Sequence, residues 1–70
     1  MDLRQWTPVV LTRPMQGMAP KDRIFTAEIG TRGYVIAQIG QDYIVEIEYG
    51  SERGTAWASA ADLYEIEDDI

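Results

Sequence analysis

Seventy residues with 46% hydrophobic and 26% charged side chains describe one small domain with enough apolar material to fold, not a disordered or collagen-like chain. The chain has no Cys and no His, which removes disulfides, thiolate nucleophiles, Cys/His zinc sites and the side chain best suited to proton transfer near neutral pH. Six basic against twelve acidic residues give a formal charge of -6, opposite in sign to what phosphate neutralisation requires, so nucleic acid is not the expected partner.

Along the chain, residues 1 to 35 carry five basic and three acidic side chains (+2), whereas residues 36 to 70 carry one basic and nine acidic (-8). No internal repeat is visible, and β-branched and aromatic residues cluster in short runs between glycines, which predicts an all-β fold. The first expected strand is Val9-Val10-Leu11-Thr12, bracketed by Pro8 and Pro14. A long irregular loop is expected over 13 to 29, punctuated by Pro14, Gly17 and Pro20 and anchored by Met15, Met18, Ile24 and Phe25.

Gly30-Thr31-Arg32-Gly33 reads as a turn that launches a strand over Tyr34 to Ile39, with Val35, Ala37 and Ile39 on one face. After Gly40-Gln41-Asp42, the segment Tyr43 to Tyr49 has the clearest period of two: Tyr43, Val45, Ile47 and Tyr49 alternate with Ile44, Glu46 and Glu48, so one face is core and the other wet. A turn over Gly50 to Gly54 leads to a fourth strand, Thr55 to Ser59, in which Trp57 is expected to be partly buried. Ser59-Ala60-Ala61-Asp62 has the pattern of a capped helical turn. Leu63 to Ile66 then returns as a fifth strand. The expectation is a five-stranded SH3-like barrel with a long loop after the first strand and one helical turn before the last. It forms a single domain over 1–70 with its core over about 8–66 and an acidic tail at 67–70.

This order resembles the small bacterial SH3-like barrel families. Val9-Val10-Leu11, Gly30-Thr31-Arg32-Gly33-Tyr34-Val35, Val45-Glu46-Ile47-Glu48-Tyr49 and Asp62-Leu63 carry the resemblance, and one such family is of uncharacterised function. Gly33-Tyr34-Val35 is similar to the KOW motif of ribosomal and transcription proteins, and the strand layout resembles the SH3-like photosystem I subunit PsaE. KOW proteins that meet RNA present basic loops, and PsaE is implicated in docking an acidic protein. The acidic second half of this chain departs from both.

The resemblance and the residue types together point to a non-enzymatic interaction module that binds a protein partner. The partner-binding candidates are Trp6, Met15, Met18, Phe25, Tyr34, Tyr49 and Trp57, because Trp, Met and other aromatics are enriched at interfaces and Met adapts to partner shape. An acidic surface of Glu46, Glu48, Glu65, Glu67, Asp68 and Asp69 is the alternative contact, either as a docking face or as a mimic of nucleic-acid phosphates. A KOW-like nucleic-acid module and homodimerisation through an edge strand complete the set.

Glu46 and Glu48 fall roughly 7 Å apart on one strand face, a spacing compatible with glycoside hydrolysis or a divalent ion, but every amphipathic strand produces it. No catalytic residue, metal site or cofactor is assigned. With no apolar run near the roughly 20 residues that span a bilayer and no signal-peptide pattern, a cytoplasmic protein is expected.

Overall fold

The computed structural model describes residues 3 to 66. Seven strands form one antiparallel sheet: β1 (Pro8–Leu11), β2 (Met15–Ala19), β3 (Arg23–Ala27), β4 (Arg32–Ile39), β5 (Asp42–Tyr49), β6 (Glu52–Ser59) and β7 (Leu63–Glu65). Their order in the sheet is β3-β2-β6-β5-β4-β1-β7.

The expected count of five strands is corrected to seven, and the long loop over 13 to 29 is corrected to a hairpin. Met15 to Ala19 pairs residue for residue with Arg23 to Ala27. Glycine and two prolines in this stretch hide a strand pattern that becomes evident once the alternation is read through Gly17: Gly17, Ala19 and Ala27 are buried, while Gln16, Met18, Ile24 and Thr26 face out.

The end strands β3 and β7 do not pair, so the sheet is not closed into a barrel. It is curled all the same. Ala27 on β3, Leu11 on β1 and Leu63 on β7 belong to one buried cluster with Val9, Val35, Tyr43, Val45, Ile47, Ala56 and Ala58. One face of the sheet therefore wraps around its own core. The small side chains Ala27, Ala56 and Ala58 let strands on opposite sides of the curl approach closely. Leu3 covers one end of this core, and its N–H donates to the Tyr43 hydroxyl at 3.4 Å.

β4 and β5 are joined by Gly40-Gln41, and β5 and β6 by Gly50-Ser51. Both glycines sit at φ +63, and a glycine of positive φ at the first central position suits a two-residue hairpin. The expected face assignment of β4 holds only up to Val35. A bulge between Val35 and Ala37 reverses the side-chain alternation, so Ala37 and Ile39 point outward.

Before β7, Ala60–Asp62 makes the expected single helical turn. The Asp62 carboxylate accepts from the Ser59 N–H at 3.2 Å and from the Ser59 hydroxyl at 3.1 Å. Asp62 also meets Arg13 at 3.0 Å, which ties this turn to the chain between β1 and β2. Among the described residues no helix is long and apolar enough to cross a membrane.

The tip of the β2–β3 hairpin is strained. Lys21 and Asp22 occupy left-handed backbone conformations at φ 65 and 58, which cost L-residues energy through contact of Cβ with the backbone. Replacing Lys21 by glycine removes that contact at some cost in unfolded-state entropy. The Lys21→Gly variant is expected to gain about 0.5–1 kcal/mol, measured as a rise of about 3–6 °C in the thermal midpoint. A fall in the midpoint would mean that the tip is not held in this conformation.

Candidate functional site

Directly opposed residues of an antiparallel ladder share a face of the sheet, so the register defines what stands beside what on the outside of the curl. One row crosses five strands: Ile24 opposes Met18, Met18 opposes Thr55, Thr55 opposes Glu46, and Glu46 opposes Tyr34. In the neighbouring row Trp57 opposes Ile44. Met18, Ile24 and Trp57 are each at least half exposed, at 50%, 59% and 58%. Large apolar side chains left this open together, and not scattered singly, mark a contact surface.

The junction of β2 with β6 shapes this surface. Between the two strands the ladder pairs Met18 with Thr55, and next to that rung Gly54 lies against the Met18 backbone. On one side lies a shallow hollow of about 300 Å³ lined by Gln16, Met18, Ile24, Ile44, Thr55 and Trp57. On the other, sharing Met18 and Thr55, a second hollow of about 380 Å³ is bordered by Pro20, Lys21, Asp22, Glu46 and Arg53. Together they form one elongated groove, apolar at one end and charged at the other.

Two ion pairs flank it. Arg53 meets Glu48 at 2.6 Å, and Arg23 meets Glu52 at 2.7 Å, pinning the hairpin to the start of β6. The Trp57 indole N–H donates to the Asp42 carboxylate at 2.9 Å, which fixes the ring at the border of the apolar hollow. Glu46 is half-buried between Tyr34 and Thr55, and among the described residues no ion pair or hydrogen bond engages its carboxylate.

Of the seven residues expected to bind a partner, the structure brings Met18 and Trp57 together in the groove and puts Tyr34 at its margin. Trp57 is not partly buried as expected; β6 turns it outward. Met15, Phe25 and Tyr49 lie on the inner face instead, partly buried against the core. The Phe25 ring lies on backbone that only glycine leaves clear, because a Cβ at Gly17 would come within 2.6 Å of its Cζ. Trp6 stands apart from the hairpin, exposed, in a left-handed conformation at φ 69, with its N–H bonded to the Val35 carbonyl.

Among the acidic candidates, Glu46 and Glu48 do share the outer face, and Glu65 is exposed on β7. Glu67, Asp68 and Asp69 lie outside the described residues. No three His, Cys, Asp or Glu side chains converge among the described residues.

Sequence reasoning missed Ile44 and Ile24 as parts of the surface. Ile44 carried a signal, as the one apolar residue on a strand face otherwise made of Glu46 and Glu48. Ile24 reads only as an apolar anchor of the 13 to 29 segment, because the hairpin that sets it beside Met18 is concealed by the glycine and prolines.

Compared with family models, curated proteins and solved structures, the chain matches none of them.

Proposed function

We propose that this chain is a small SH3-like protein-binding module that recognises its partner in the groove between β2 and β6, without chemistry of its own. The observation that carries this reading is the cluster of Met18, Ile24, Ile44 and Trp57 on the outside of the sheet, beside ion-paired charges. An apolar centre with a charged border is the anatomy of a protein interface. The SH3-like reading rests on connectivity. β1 lies between β4 and β7, β4 to β6 form a meander, a helical turn precedes the last strand, and the β2–β3 hairpin is an excursion after the first strand.

The phosphate-mimic alternative draws less support, because two of the outward carboxylates on β5 are engaged within the fold, Asp42 by the Trp57 indole and Glu48 by Arg53. Pairing of two copies along the open β3 edge is opposed by a charge of -6 on each.

The test is capture from a bacterial lysate with the intact protein and with a Met18→Ala/Trp57→Ala double variant, followed by rebinding of the purified partner. Both side chains are exposed, so the double variant should lose less than about 1 kcal/mol of stability. It should bind the partner about 30-fold or more weakly, as truncation of two interface anchors does. A partner held equally by both proteins would place recognition elsewhere.

A further inference from the structure

Glu46 is the unbalanced charge of the groove. Arg53 is bonded to Glu48, Lys21 and Asp22 adjoin one another at the hairpin tip with opposite signs, and among the described residues no cation pairs with Glu46. A half-buried carboxylate without a partner has lost part of its hydration and gained nothing for it, so it is set to receive an incoming cation.

Its immediate neighbours narrow the choice of cation. Tyr34 stands directly across the ladder on β4, and Thr55 and Met18 close the other side. A guanidinium can pair with a carboxylate through two parallel N–H groups while its plane stacks on an aromatic ring, whereas an ammonium offers neither geometry. The adjacent row holds Trp57 opposite Ile44, and Ile44 is two residues from Glu46 on the same strand face. That offset is about 7 Å, the distance between alternate side chains of an extended chain.

Resting on the protein-binding reading of this groove, we propose that the partner is an extended segment of a basic protein. It presents an arginine to Glu46 and Tyr34, and an apolar side chain two positions away to the hollow of Met18, Ile44 and Trp57. The excess of negative charge in the second half of the chain favours the approach of such a segment.

A phage-displayed library of random twelve-residue peptides, selected on the intact protein, tests this directly. The expected enrichment is arginine followed or preceded at two positions by a large apolar residue. A synthetic peptide of that sequence should bind about tenfold more weakly to Glu46→Gln, and more weakly still to Glu46→Lys. Tyr34→Leu should reduce the preference for arginine over lysine, and Tyr34→Phe should keep it. Enrichment of acidic, neutral or proline-rich peptides, no enrichment, or equal affinity for Glu46→Gln overturns the inference. If Trp57→Ala weakens a selected peptide while Glu46→Gln does not, the groove reading stands and the arginine site falls. If Trp57→Ala has no effect, the groove reading itself falls.

Discussion

Replacing Gly54 by alanine is expected to detach the β2–β3 hairpin from the sheet. A Cβ at this position would overlap the Met18 carbonyl oxygen, lie 2.6 Å from its carbon and come within 2.8 Å of the Phe25 ring. The first two atoms are backbone, so no rotamer change relieves the contact. Met18 is also the residue that forms the single rung between β2 and β6, opposite Thr55, so moving it away breaks that rung. Overpacking of this kind costs about 1–3 kcal/mol in a well-packed core. A domain of this length holds only about 4–10 kcal/mol in total. Chemical denaturation should show a loss of about 3 kcal/mol, with hydrogen exchange accelerated first in β2 and β3. A change below about 0.5 kcal/mol, comparable to a neutral surface substitution, would show that the two strands do not approach this closely. Because Met18 is also a wall of the groove, the same variant should lose its partner.

Tyr43→Ala is expected to bring the protein to the edge of unfolding. Tyr43 is the largest fully buried side chain, 2% exposed, and it touches a core otherwise built from Val, Leu, Ile and Ala. Truncating a buried aromatic costs about 3–5 kcal/mol through lost transfer energy and an unfilled cavity. This core has few large side chains to collapse into the space. Tyr43→Phe separates packing from polar contributions: the hydroxyl accepts the Leu3 N–H at a long 3.4 Å, and its loss should cost about 0.5–1 kcal/mol. Urea denaturation of the two variants side by side is the measurement. Near-equal losses would mean that the hydroxyl, not the ring, anchors this end of the core.

Both substitutions test the same dependence. The groove lies where the hairpin meets β6 at one rung, and the hairpin is held there by packing of Phe25 from beneath and by the Arg23–Glu52 ion pair at the edge. An exposed ion pair contributes about 0–1 kcal/mol, so the packing is the larger part. On the proposed reading of the groove, stability of the hairpin and affinity for a partner are coupled.

Sequence alone determined the all-β class, the inward face of β5 and the helical turn at Ser59 to Asp62. Each is a local property. Tyr43, Val45 and Ile47 alternate with Glu46 and Glu48 strictly enough that only one face can be core, and Ser59 and Asp62 stand at the spacing their mutual hydrogen bonds require. Tertiary structure decided the rest. Residues 13 to 29 form a hairpin because Phe25 finds glycine backbone on β2 and on β6 to lie against, and β6 is remote in sequence. The bulge after Val35 reverses the outer half of β4, which period-two reading carries straight through. Trp57 faces outward because Ala56 and Ala58 fill the core side of β6, where the curl of the sheet leaves room only for small side chains. Met18 and Ile24 on one hairpin and Ile44, Glu46 and Trp57 on another become neighbours through the pairing of β2 with β6, which lie far apart along the chain. A surface assembled from such pairings has no period or motif in the sequence, because the forces that create it act only once the sheet has formed.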